Sequence, residues 1–82
     1  MTEKEIFDKV VGILSPYAKN KDALSSATND TNILKDLEVN SSRLVDIILA
    51  FEDTFEIEVG DGEADQVTTV GAAVKLIQSK IQ

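Results

Sequence analysis

The groups in this chain that could do chemistry are few. It has no histidine and no cysteine, so the side chains most used as base and nucleophile near neutral pH are missing. What stands out is a pair of hydroxyls, Ser41 and Ser42, preceded by Asn40 and followed by Arg43 and an acidic segment with regular apolar spacing. A serine becomes a catalytic nucleophile when a base activates it, and no lysine or carboxylate is paired with either serine by spacing. Catalysis by this chain alone is not expected. The structural alternative for Ser41 is an ordinary helix N-cap, a role that both Asn40 and Ser41 suit.

Charge is the second feature. Residues 36–65 hold ten acids against Arg43 alone, a net of −9, whereas the whole chain carries −7. A block this negative repels phosphate backbones and anionic lipid, which excludes nucleic acid and membrane surfaces as expected partners. It steers basic protein surfaces toward itself, unless it is only a solvated face that keeps the protein soluble. No apolar run approaches the roughly 20 residues that span a bilayer. The start, Met1-Thr2-Glu3-Lys4-Glu5, lacks the basic and apolar stretches of a signal peptide. A cytoplasmic setting and a single domain over residues 1–82 are the expectations.

These groups must be positioned by helices. Thr2 followed by Glu5 is a capping-box pattern, after which Ile6, Val10, Ile13, Leu14 and Tyr17 recur at helical spacing. Pro16 predicts a kink or an end near Leu14. Residues 20–32, rich in Asn, Ser, Thr and Asp, read as a loop with room for one short helical turn. Leu24, Ile33, Leu34 and Leu37 would pin it to the core. A second helix is predicted from about Ser41 to Phe55, with Leu44, Ile48, Phe51 and Phe55 on one face and Val45, Ile47 and Leu49 widening it. Ile57 and Val59 alternate with acids but have no partner strand, so they read as an extended link. Asp61 is expected to cap a very short helix through Gln66, and Thr68 or Thr69 to start the last, where Val70, Ala73, Val74, Ile77 and Ile81 share a face. The expected fold is all-α: a four-helix bundle with three longer helices, one short one and a long first connection.

The run Asp36-Leu37-Glu38-Val39-Asn40-Ser41-Ser42-Arg43-Leu44-Val45-Asp46-Ile47 resembles the attachment motif of acyl carrier proteins, Asp-Leu-Gly-x-Asp-Ser-Leu followed by an acidic amphipathic helix. Phe51-Glu52-Asp53-Thr54-Phe55-Glu56-Ile57-Glu58-Val59 resembles the end of the family's second helix. Thr68-Thr69-Val70-Gly71-Ala72-Ala73-Val74 resembles the opening of its last. The three matches run in order over nearly the whole chain. The resemblance implies a 4'-phosphopantetheine arm on Ser41, transferred from coenzyme A by a phosphopantetheinyl transferase and ending in the thiol that a cysteine-free chain lacks. A phosphodiester at a helix N-terminus is favoured by up to about 1 kcal/mol.

The same resemblance implies partner contacts at Asn40, Ser42, Arg43, Asp46, Glu52, Asp53 and Glu56, met by basic patches on acyl-loading and acyl-transferring enzymes, with the carrier a monomer. It implies that Leu44, Ile48, Phe51, Phe55, Val59, Val70, Ala73 and Ile77, core residues first of all, also line an acyl pocket. Three positions depart from the pattern: Asn40 for an acid, Ser42 for leucine and Arg43 for an acid. Arg43 opposes docking of a basic surface, which suggests a carrier dedicated to its own lipid or secondary-metabolite pathway rather than general fatty acid synthesis. The alternatives are an aminoacyl or peptidyl carrier, and an acidic helical interaction module with no prosthetic group. The stretch from Asp61 to Asp65 is no EF-hand, because Gln66 and Ala72 stand where glycine and the bidentate acid are required. No dedicated metal site is expected, and weak divalent-ion binding is left open.

Overall fold

A computed structural model describes residues 1–81. It contains α1 (Glu3–Leu14), α2 (Lys21–Ser25), a 3-10 turn (Ser41–Arg43), α3 (Leu44–Phe55), α4 (Asp61–Ala64) and α5 (Val70–Ile81). The three long helices form the frame. α1 packs chiefly on α5 and also on α3, and α3 meets α5.

Each long helix buries most of the stripe that its spacing prescribes, while Ile13, Tyr17, Leu44 and Ile81 are only half-buried. Ile6, Val10 and Leu14 of α1 are fully enclosed, as are Val70, Ala73 and Ile77 of α5. α3 contributes Ile47, Ile48, Phe51 and Phe55. α1 opens with the expected capping box: Glu5 N–H donates to Thr2 Oγ1 at 3.2 Å, and Thr2 N–H to Glu5 Oε1 at 3.1 Å. It ends at Leu14, where the chain turns over Pro16 and both Tyr17 and Ala18 donate to the Leu14 carbonyl.

The long connection is more structured than its composition suggests. Asn20 caps α2 by accepting from Ala23 N–H at 3.1 Å. Farther along, Asn32 Oδ1 accepts from Leu34 and Lys35, while Asp36 Oδ2 accepts from Asn32 N–H at 2.8 Å. This coil turns Ile33, Leu37 and Val39 into the core. Leu24 and Leu34 are only half-buried. The loop is also stitched to the start of α5. Asn32 and Thr69 form one isolated antiparallel bridge, Ile33 N–H donates to Thr68 O at 3.0 Å, and Val70 N–H donates to Thr31 O at 3.0 Å.

Three boundaries differ from expectation. α3 begins at Leu44 rather than Ser41, because Asn40 draws the preceding residues into a tighter turn in which Arg43 N–H donates to Asn40 O at 2.9 Å. α4 stops at Ala64 instead of Gln66. Its cap is Gly60 rather than Asp61: Gly60 N–H donates to Glu63 Oε1 at 3.0 Å. Of the two candidate threonines, Thr69 caps α5, accepting from Ala72 N–H at 3.0 Å. Ile57 and Val59 lie in the non-helical link between α3 and α4.

Candidate functional site

The site is built where the loop delivers the chain to α3. Leu37 and Val39 are anchored in the core while Glu38 between them is exposed. Asn40 then takes up the capping work. Its Oδ1 accepts from Ser42 N–H at 3.0 Å and from the Ser42 hydroxyl at 2.9 Å. Ser42, not Ser41, is thereby the serine bound into the cap. Ser41 sits exposed at the first position of the 3-10 turn, and its hydroxyl has no part in those bonds.

Beside this turn, α3 and α4 enclose a groove of about 330 Å³, lined by Leu44, Val45, Ile48, Leu49, Val59 and Ala64 with Glu52, Asp61 and Asp65 among its polar groups. That volume lies at the lower end of small-molecule clefts. Of the eight residues named from the resemblance as pocket or core, Leu44, Ile48 and Val59 line the groove. Phe51, Phe55, Val70, Ala73 and Ile77 are buried in the helix interfaces and do not reach it. Val45 and Leu49, which spacing marks only as a wider apolar face, are 68% and 56% exposed. They are the open apolar side of the groove, a role signalled by their i, i+4 spacing one residue beyond Leu44 and Ile48.

The acidic residues divide into two kinds. Asp53 and Glu56 are exposed. Asp46 accepts from Arg43 Nη1 at 3.2 Å across one turn. Glu52 is engaged within the fold: its Oε2 accepts from Val59 N–H at 2.9 Å and ties the extended link back to α3. Glu63 is similarly committed. Lys80 donates to its Oε1 at 2.8 Å, and this bond, followed by the one from Gly60, holds its carboxyl below the usual glutamate range. Among the described residues, no three carboxylates converge to hold a metal ion.

Residues 8–77 match the family described as the phosphopantetheine attachment site. The chain is 40% identical over 80 residues to the acyl carrier protein of Lactobacillus acidophilus, covering 96% of each. The chain belongs to the acyl carrier protein family. It is 38% identical to the acyl carrier protein of Picosynechococcus over 77 residues, covering 94% of this chain and 93% of that one. The solved acyl carrier protein of Enterococcus faecalis superposes with a TM-score of 0.80 at 35% identity, covering 98% of this chain and 99% of that one.

Acyl carrier proteins are non-catalytic and carry a 4'-phosphopantetheine group, which agrees with a chain lacking histidine and cysteine. Their general partners are phosphopantetheinyl transferases and acyl-handling enzymes. No helix is long and apolar enough to cross a membrane among the described residues. The residues present fit the prosthetic group: an exposed hydroxyl on a rigidly capped turn, one helical turn from an apolar groove.

The backbone adds a fourth departure from the family motif. Glu38 occupies the place of the motif's glycine and has φ 55°. An L-residue in this left-handed conformation costs roughly 1–2 kcal/mol, which glycine largely escapes at the expense of greater unfolded-state entropy. Glu38→Gly also removes one charge from the acidic block. The variant is expected to be more stable by about 1 kcal/mol, raising Tm by about 4–8 °C for a domain of this size. Thermal unfolding followed by circular dichroism checks this, and an unchanged or lower Tm would show that Glu38 is not strained.

Proposed function

We propose that Ser41 bears the arm and that this carrier serves a dedicated lipid or secondary-metabolite pathway. The observation that carries the first part is the division of labour between the two serines. Asn40 satisfies the turn through Ser42, which leaves the Ser41 hydroxyl at the surface for a transferase to reach. The new bond joins Ser41 Oγ to the pantetheine-bearing phosphorus of coenzyme A, that phosphorus parts from the bridging pyrophosphate oxygen, the hydroxyl proton passes to a base, and adenosine 3',5'-bisphosphate departs. The transferase supplies the base, so the carrier needs none. When bound, the arm supplies a terminal thiol on which acyl groups are held as thioesters. The groove between α3 and α4 offers apolar cover to the cargo, chiefly from Val45, Ile48 and Leu49.

The second part rests on Arg43. Its guanidinium pairs with Asp46, so one of the acids expected to meet basic partners is offset, and the rim is less negative there than an acid at position 43 would make it. Both side chains are well exposed, so the pair adds little stability, and its weight falls on recognition. Partners built for a uniformly acidic rim are disfavoured, and a partner presenting an acid opposite Arg43 is favoured. The cytoplasmic setting and monomeric state expected from the sequence are retained in this reading.

Arg43→Asp is the test. It is expected to speed association with general fatty-acid synthesis enzymes by about tenfold at low salt, with the gain fading as salt is added. It should leave Tm nearly unchanged. Stopped-flow association kinetics decide this, and identical rates for both proteins would remove the argument for dedication.

A further inference from the structure

α4, like α2, is a lightly held element of the fold, and it forms one wall of the groove. It is four residues long, buries none of them, and packs extensively on none of the long helices. Glycines precede and interrupt it at positions 60 and 62. Ala64 within it, and Val59 and Val67 on either side, pack against the core, and polar contacts add to that hold. On its approach, Val59 N–H is held by Glu52 of α3 at 2.9 Å. On its outer side, Glu63 receives Lys80 from the last turn of α5 at 2.8 Å, a contact spanning 17 residues, and the same oxygen holds Gly60 N–H. The Lys80 side chain is 30% exposed and that of Glu63 is 41% exposed, so the pair is partly sheltered.

We propose that the Glu63–Lys80 ion pair is a latch: it holds α4 against the body of the carrier and sets how readily the wall formed by Asp61, Ala64 and Asp65 swings away from Val45 and Leu49 to admit cargo. Glu63 and Lys80 are positioning residues, acting on the groove through the placement of α4 rather than by touching what enters it. That the entering cargo is an acyl chain rests on the function proposed above. The latch itself does not depend on it.

Local opening is read by amide hydrogen exchange on the unmodified chain. The reporting amides are those of Ala64, Asp65, Gln66 and Val67, which donate to Gly60, Asp61, Glu63 and Ala64 respectively. Lys80→Gln is expected to speed their exchange by about two- to fivefold, the range of a partly exposed ion pair. Glu63→Gln keeps an acceptor for Gly60 and should have a similar effect, whereas Lys80→Arg should restore slow exchange. Amides of α1 and α3 should stay unchanged in all three. Unaltered exchange at residues 64–67, or an equal increase throughout the chain, would overturn the latch. A second measurement repeats the comparison on protein loaded with an octanoyl arm. Slower exchange at residues 64–67 on loading is expected if the chain enters the groove. A normal latch result without this protection would count against the groove as the cargo's place, and the latch would stand.

Discussion

Gly71→Ala is expected to lower Tm by about 5–15 °C, although alanine is the better helix former. A Cβ built on Gly71 would lie 2.7 Å from the Asn29 carbonyl oxygen, 2.9 Å from Asn29 Cβ and 3.2 Å from its Cα. Gly71 N–H donates to that same carbonyl at 2.9 Å, so the loop is drawn against the helix at the point where a methyl would stand. The clash is with backbone, and no rotamer relieves it. Displacing the loop also strains the bonds from Val70 to Thr31 and from Ile33 to Thr68. Overpacking of this kind costs about 1–3 kcal/mol, more than the 0.5–1 kcal/mol that alanine gains over glycine in a helix interior. A net loss of about 1–2 kcal/mol, at about 4–8 °C per kcal/mol for a domain of this length, gives the stated range. Gly12 is the control. It lies within α1, and nothing stands within 4 Å of the place a methyl would take, so Gly12→Ala should raise Tm. Paired thermal melts check both signs, and a Gly71→Ala protein as stable as the parent would contradict the close approach.

Ser41→Ala is expected to abolish loading of the arm while leaving the fold intact. The residue is exposed and takes no part in the cap, so its loss should stay within about 0.5 kcal/mol, typical of a surface substitution. Ser42→Ala should behave in the opposite way. It removes the hydroxyl bound to Asn40 Oδ1 at 2.9 Å but leaves the backbone bond from Ser42 N–H. A modest loss of stability with retained loading is the expected result. Unfolding and loading assays together separate a hydroxyl that holds the turn from one that is offered to a partner.

The helical frame is legible in the sequence because its signals are local and repetitive. Ile6, Val10 and Leu14, or Val70, Ala73, Val74 and Ile77, are positions that one face of a helix must bury. The capping pair Thr2 and Glu5 sits three residues apart, and Pro16 closes α1 without reference to the rest of the molecule. Legibility fails where a residue answers to something distant. Asn32 reads as a loop former with Ile33 and Leu37 as pegs, as found, but the bond from Asn32 N–H to Asp36 Oδ2 that shapes the turn, and the seating of Val39 beside those pegs, answer to the packed fold. Spacing does not reveal that. Glu52 reads as a docking acid because it lies in the acidic stretch, yet it holds Val59 seven residues away. Glu63 meets Lys80 only after α4 and α5 have packed.

At the site itself, the pattern around Ser41 identifies the turn, with the neighbouring serine as the local rival. The choice between them as capping residue depends on which hydroxyl Asn40 engages, a matter of 3-10 geometry rather than sequence. The pocket residues divide for a similar reason. Phe51 and Phe55 lie at helical spacing with Leu44 and Ile48, but they are buried in the helix interfaces, whereas Leu44 and Ile48, nearer the start of α3, reach the groove beside α4. The strain at Glu38 is the subtlest case. A positive φ leaves no trace in hydropathy, and only comparison with a glycine-bearing motif makes the residue conspicuous.

One hydroxyl decides the matter. The intact protein, its Ser41→Ala form and its Ser42→Ala form are each incubated with coenzyme A and a promiscuous phosphopantetheinyl transferase, then digested, and the added mass is mapped by tandem mass spectrometry. A single arm found on residue 41 of the parent and of Ser42→Ala, and none on Ser41→Ala, is the predicted outcome. An arm mapped to residue 42, or an unmodified parent after treatment with several such transferases, would contradict it.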